Sequence, residues 1–304
     1  MNVGIILPLF SGNVERVLEA ARETEELGFD GAFVFDHFFP PGGPRDRPSL
    51  EAFTMLAAVG AATQRVTVGT LVTRASLRPA GLLAKTASWI DVATGGRLVL
   101  GIGTGDPIDR AEHEAYGIPM LGRRERRAHL DETVRALKAL FSGRRFDGGR
   151  YVPPLLGPLV PPPAQAGGPR IWIGAQALDV VRMAGRIADG WNGWGLGIDP
   201  FRERAQILFQ EAEAAGRTVE ATWAGIVLVG EDEGETEELL ERRKARGLDE
   251  NVWAGTTAEL AAFLGGLEGA GATWAVLVPA GPKDRVALIG REVLPALSRR
   301  PVAR

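Results

Sequence analysis

Val3-Gly4-Ile5-Ile6-Leu7-Pro8, then Asn13-Val14-Glu15-Arg16-Val17-Leu18, then Gly28-Phe29-Asp30-Gly31-Ala32-Phe33-Val34-Phe35 is the stretch whose reading decides the fold. Val3 to Leu7 is a short, wholly apolar run that Pro8 ends. Asn13 has the side chain of a helix N-cap. Val14, Val17, Leu18, Ala21 and Leu27 follow at helical spacing, and Gly28 suits the left-handed position just past a helix end. Ala32 to Phe35 then reads as a second short strand. A strand without polar alternation is buried on both faces, which implies a parallel sheet covered by helices.

The same unit recurs to the end of the chain. Val66 to Val72, Leu98 to Ile102, Ile171 to Ile173, Gly190 to Asn192, Thr222 to Val229 and Trp274 to Val278 read as strands three to eight. Helical segments fall between them over 50–62, 79–93, 130–141, 180–187 and 201–214, and Val286 to Leu297 reads as a closing helix. Eight units predict a closed (β/α)₈ TIM barrel with insertion segments at its C-terminal mouth, as one domain over 1–304. The first strand lacks a GxGxxG turn, which disfavours a dinucleotide-binding open sheet. Gly143 to Gly168, rich in Gly and Pro, is expected to be an insertion loop over the mouth. The charged stretch from Glu231 to Asn251 is expected to be a solvated helix and loop.

Composition narrows the function. Of 304 residues, 45% are hydrophobic, and the formal net charge is −3. No basic excess points to nucleic acid. Cysteine is absent, which removes disulfides, iron–sulfur clusters and thiolate nucleophiles. The start Met1-Asn2-Val3-Gly4 has no signal-peptide pattern, and no apolar run reaches the ~20 residues that span a bilayer. A soluble cytoplasmic protein is expected. The lysines, at 85, 138, 244 and 283, lie outside the expected strands, so a Schiff-base lysine is not expected. His37, His113 and His129 are scattered, Glu112-His113-Glu114 reads as surface, and no metal is expected. A bound organic cofactor is then the natural source of reactivity.

Barrel enzymes carry their chemistry at the C-terminal strand ends. Strand two ends in Asp36-His37-Phe38, an imidazole that can exchange protons near neutrality beside an acid that can orient it or bond a cofactor. A helix cap and a packed histidine is the bland alternative. Strand three ends in Gly69-Thr70-Leu71-Val72-Thr73, ordinary core or an apolar floor for a planar ring. After strand four, Gly101-Ile102-Gly103-Thr104-Gly105-Asp106 has alternating glycines that let backbone approach a ligand. After strand five, Gly174-Ala175-Gln176-Ala177 leads into a helix whose N-terminus is a plausible phosphate cradle or simply a tight turn. Arg123, Arg124, Arg126 and Arg127 form a basic run, read as a solvated face or as contact for an anionic cofactor tail.

In their order and spacing these segments resemble the bacterial luciferase-like monooxygenase superfamily, in particular its coenzyme F420-dependent branch. The resemblance rests on Asp36-His37-Phe38, Val68 to Thr73, Gly95 to Gly105, Ile173-Gly174-Ala175, and Ala184 to Trp191. It implies a hydride-transferring oxidoreductase acting on a small-molecule substrate, with Asp36 and His37 against the deazaflavin ring. It further implies a cis peptide between Leu71 and Val72, cofactor contacts from Thr104, Gly105 and Asp106, and phosphate held by Gly174 to Ala177. His37, oriented by Asp36, and Asp106 are the implied proton-handling groups. An FMN-dependent monooxygenase supplied by a partner flavin reductase, or a non-catalytic flavin-binding barrel, are the alternatives. A homodimer is compatible with the resemblance. Pro41 stands where the sugar-phosphate dehydrogenases of that branch carry Trp, so glucose 6-phosphate is not the expected substrate.

Overall fold

The computed structural model describes residues 1–41 and 43–297; Gly42 and the last seven positions of the expected 1–304 domain lie outside the described residues. The strands are β1 (Asn2–Ile6), β2 (Gly31–Val34), β3 (Thr67–Arg74), β4 (Leu98–Gly103), β5 (Arg170–Gly174), β6 (Gly190–Trp194), β7 (Glu220–Gly230), β8 (Val252–Thr256) and β9 (Ala272–Ala280). The helices are α1 (Val14–Glu26), α2 (Ala52–Ala62), α3 (Ala80–Ala93), α4 (Arg110–Ala115), α5 (Arg123–Phe141), α6 (Leu178–Ile187), α7 (Ile198–Ala214), α8 (Glu233–Lys244), α9 (Thr257–Gly269) and α10 (Arg285–Leu288). The first helix begins and ends as its sequence dictates: Asn13 Oδ1 accepts from Arg16 N at 3.1 Å, and Gly28 takes φ +84°.

The strand pairs among the described residues are parallel, and β1-β2-β3-β4-β5-β6-β7-β9 close into a TIM barrel through the β9–β1 pairing. The strand read as the eighth is therefore ninth in the chain. The extra strand, β8, pairs with the upper half of β7, Ile226–Gly230, on the edge opposite β9 and beyond the part of β7 that pairs with β6. It follows α8, whose solvated character matches the charged sequence there.

The barrel interior is plugged by three aromatic side chains. Phe33, Trp172 and Trp274 lie 5.6–5.8 Å apart by ring centroid, all essentially inaccessible. Glycines of the barrel strands leave the room: a Cβ at Gly31 would sit 2.5 Å from Phe33, and one at Gly190 2.6 Å from Trp172. Above the plug, Ile6, Leu71, Val99, Ala224 and Val276 form an apolar layer. Half-buried Phe35, Val72, Trp194 and Val278 top it and open toward the mouth. A second, larger apolar cluster fills the space between strands and helices.

The structure departs from two expectations. The 143–168 segment does not cover the mouth. It folds on itself through a Phe146–Leu155 bridge and then follows the outside of α3. Lys85 Nζ bonds Val160 O, and Gln165 bonds Asp91 and the Leu98 carbonyl at the start of β4. The segment that does stand at the mouth is 106–122, with a 3₁₀ turn at Pro107–Asp109 and then α4. The expected closing helix is a succession of α, π and 3₁₀ turns over 285–296. No described helix is long and apolar enough to cross a membrane.

Removing one ring of this fully buried plug leaves a cavity beside Trp172 and Trp274. Phe33→Ala is expected to lower unfolding free energy by about 3–5 kcal/mol, measurable by urea denaturation.

Candidate active site

Side chains alternate along a strand, and this rule divides the pair at the end of β2. Phe33, Phe35 and His37 point one way. Phe33 lies in the plug, and Phe35 and His37 rise above it, their rings 6.3 Å apart. Phe10 stands 6.3 Å from the same imidazole, and Trp194 lies 5.8 Å from Phe35. Asp36 points the other way, into the strand–helix layer, where it is buried. Thr73 Oγ1 donates to its Oδ2 at 2.6 Å, and Arg78 holds both carboxylate oxygens. The expectation that Asp36 orients His37 is thus corrected, because the two side chains lie on opposite faces.

The imidazole has a different partner. His37 Nδ1 lies 2.7 Å from Glu112 Oε1. Glu112 Oε2 accepts from Phe38 N at 2.9 Å and from Arg74 Nη2 at 2.6 Å. Expected at the surface, Glu112 and His113 of α4 are instead buried, 1% and 3% exposed, and only Glu114 of that trio faces solvent. His113 is held by the Pro119 carbonyl. Burial works to raise the Glu112 carboxyl, but the His37 bond, the Phe38 N–H and Arg74 outweigh it and hold the group below its usual value.

Asp109 completes the cluster. Its Oδ1 lies 3.6 Å from Arg74 Nη1 and 3.9 Å from His37 Nδ1, while its Oδ2 accepts from Asp106 N at 2.7 Å. His37, Asp109 and Glu112 thus offer three metal-type ligand atoms within 4.8 Å of one another. Scattered in sequence, they do come together in space. The buried Arg74 guanidinium supplies one positive charge against the two carboxylates. Asp106 itself reaches solvent. Partial desolvation, then the Asp109 carboxylate, push its carboxyl above the usual value against the opposing charges of Arg126 and His37.

Leu71 and Val72 are joined by a cis peptide bond, and the β3–β4 register shifts between Thr70 and Thr73. The Val72 side chain projects across the neighbouring strands. A Cβ on Gly103 or Gly174 would lie 2.9 Å from it, and one on Gly101 3.0 Å from it and 2.1 Å from the Thr70 carbonyl. The glycines of strands four and five therefore make room for Val72. Gly105, at φ +72°, covers the Arg74 stem, which a Cβ would meet at 3.0 Å. Thr104 is half-buried beside it.

At the end of β5, the Ala175 N–H bonds the Asn192 carbonyl, and the Gln176 side chain bonds the Trp194 carbonyl. The free donors begin one residue later. Ala177 heads α6 without a side-chain cap; Val180 N already bonds the Ala177 carbonyl, so the N–H groups of Leu178 and Asp179 are the ones without an intrahelical partner. Arg127 reaches this turn and pairs with Asp179. Direct contacts thus link Asp36 to Thr73 and Val72 to Gly174. His37 is joined to Asp106 through the Glu112–Arg74–Asp109 cluster. The strands concerned are neighbours in the ring.

With that geometry in place, likeness to known proteins decides the family. The luciferase-like monooxygenase model matches residues 1–291. The chain belongs to that family. Among its relatives is an F420-dependent glucose-6-phosphate dehydrogenase of Nakamurella multipartita, 35% identical over 57% of this chain and 50% of that protein. An F420-dependent hydroxymycolic acid dehydrogenase of Mycobacterium tuberculosis is 30% identical over 71% of this chain and 58% of its own length. The matches therefore span about half of those curated relatives. An F420-dependent secondary alcohol dehydrogenase superposes with a TM-score of 0.85 at 19% identity, covering 98% of this chain and 99% of the other; at that identity the likeness concerns the fold.

Sequence reasoning missed Arg74, Asp109 and Glu112. Arg74 stands at a strand end and was open to the same rule that found His37. Asp109 and Glu112, three residues apart, share a helical face.

Glu112 gives the site a signed pH dependence. Its folded pKa lies below the ordinary 4.5, so its contribution to stability is present above that value and is lost as pH falls through the folded one. Glu112→Gln is expected to be less stable at pH 7 and to lose less stability on acidification below about 4.5. Denaturant midpoints compared across the acid range test this; parallel curves would contradict it.

Proposed function

We propose that this protein is a coenzyme F420-dependent oxidoreductase that moves a hydride between the deazaflavin and a small, uncharged organic substrate. The observation that carries the reading is His37. Strand alternation sets it above an apolar barrel floor, with Nδ1 engaged by Glu112 and Nε2 left as the nitrogen for exchange. The sequence relatives named as F420-dependent dehydrogenases favour F420 over FMN.

The residues present fit such a group. When bound, the deazaflavin supplies C5 as the carbon that gives or takes the hydride. Val72, Leu71 and the half-buried Phe35 and Trp194 offer an apolar bed for a ring. The N–H groups of Leu178 and Asp179 at the head of α6 offer donors to a phosphate, with Arg127, paired to Asp179, beside them. His37 holds or accepts the proton that accompanies oxidation or reduction at a hydroxyl or carbonyl carbon. Asp106 is a second proton-holding group at the solvent edge.

An uncharged substrate is supported by the pairing of the two arginines nearest His37 and Asp36. Arg74 is bound by Glu112 and Arg78 by Asp36 and Glu51. The outer rim carries Phe38 against Tyr116, 4.5 Å apart, and the exposed Ile108.

Titration with oxidised and reduced F420 and with FMN is the test, and preferential binding of F420 is expected. Tight FMN binding without F420 binding would overturn the proposal. His37→Ala is expected to keep F420 binding and to lose about 100-fold or more in kcat, read as F420 reduction over a panel of alcohols. Unchanged turnover would remove His37 from the mechanism.

A further inference from the structure

We infer that Glu112, locked by Arg74 and the Phe38 backbone, is a positioning residue that fixes His37 in the tautomer bearing its proton on Nδ1. This rests on reading His37 as the proton-handling group, but it describes the protein without coenzyme and has its own readout.

Two donors converge on Oε2 of Glu112, the Phe38 N–H at 2.9 Å and Arg74 Nη2 at 2.6 Å. Neither can turn away: one is backbone, the other a guanidinium 3% exposed. They fix the carboxylate plane and present Oε1 to the imidazole at 2.7 Å. An ionised carboxylate only accepts hydrogen bonds, so the ring nitrogen facing it must carry hydrogen. Nδ1 is then N–H whether the ring is neutral or charged, and in the neutral ring the lone pair is on Nε2.

The other groups around the ring do not compete. Asp109 Oδ1, at 3.9 Å, is beyond hydrogen-bond reach, and Oδ2 is tied to Asp106 N. Asp106 acts on His37 only through the field between them. Phe10 and Phe35 contribute ring faces and edges. Arg74 faces Glu112 and Asp109. One carboxylate oxygen therefore chooses the tautomer, and with it which nitrogen can take a proton from a substrate hydroxyl.

The same two donors dictate what an amide would do. In Glu112→Gln, Phe38 N–H and Arg74 require the carbonyl oxygen at the Oε2 position. The NH₂ group is left facing Nδ1, which must then accept, so the ring proton moves to Nε2. A packing role alone would not invert the tautomer.

The experiment is nitrogen NMR of imidazole-labelled protein at a pH where the ring is neutral, with His37 assigned by its loss in His37→Ala. Wild type is expected to show protonated Nδ1 and bare Nε2, and Glu112→Gln the reverse. A wild-type ring protonated on Nε2, or a variant still protonated on Nδ1, would overturn the proposal. If the variant does not fold, the wild-type spectrum alone decides. Since the tautomer is read without coenzyme, a chain that binds no F420 still puts the role of Glu112 to the test.

Discussion

A guanidinium buried under the strand ends has to be neutralised where it stands, and much of the mouth is arranged around that requirement. Arg74 ends β3 at 3% exposure. An isolated charge there would be prohibitively costly, and the chain supplies Glu112 and Asp109 from the segment after β4. Those carboxylates draw 106–115 down against the barrel. That docking brings Glu112 to His37 and sets Asp109 beneath Asp106. Even Gly105 belongs to this arrangement, because its missing side chain leaves the space the arginine stem fills.

A second ion pair performs a parallel task in the outer layer. Asp36 and Arg78 join the end of β2 to the start of α3, with Glu51 and the Phe53 ring on the far side of the guanidinium. Both clusters stand on adjacent residues of one strand end, separated by alternation. The inner one borders the mouth, and the outer one ties helices to strands. Adjacent acid and imidazole in sequence thus belong to two different networks.

Much of this was legible beforehand. The buried strands and helical spacings gave the barrel, because each element carries its own period. β8 escaped notice since it pairs only with the upper half of β7 and is mostly half-buried. The 143–168 segment read correctly as irregular, but Gly and Pro content says nothing about which helix it lies along. At the site, the strand-end rule located His37 and Asp106. It could not assign partners, because a charged helix such as 110–115 looks solvated until the opposite charge is known to be buried beneath it. That charge, Arg74, is more than 30 residues earlier in the chain. The alternating glycines read as points where backbone approaches a ligand, but the group that fills the space beside them is Val72 of the same chain.

That valine couples four positions sterically. Gly103 and Gly174 are constrained chiefly by the methyl groups of Val72, whereas Gly101 also faces the Thr70 carbonyl. A lineage that acquired alanine at 72 would release 103 and 174 to accept side chains, while 101 stayed bare. The room for a side chain at 103 or 174 is therefore set by the size of the residue at 72, and the shape of the floor by all three together.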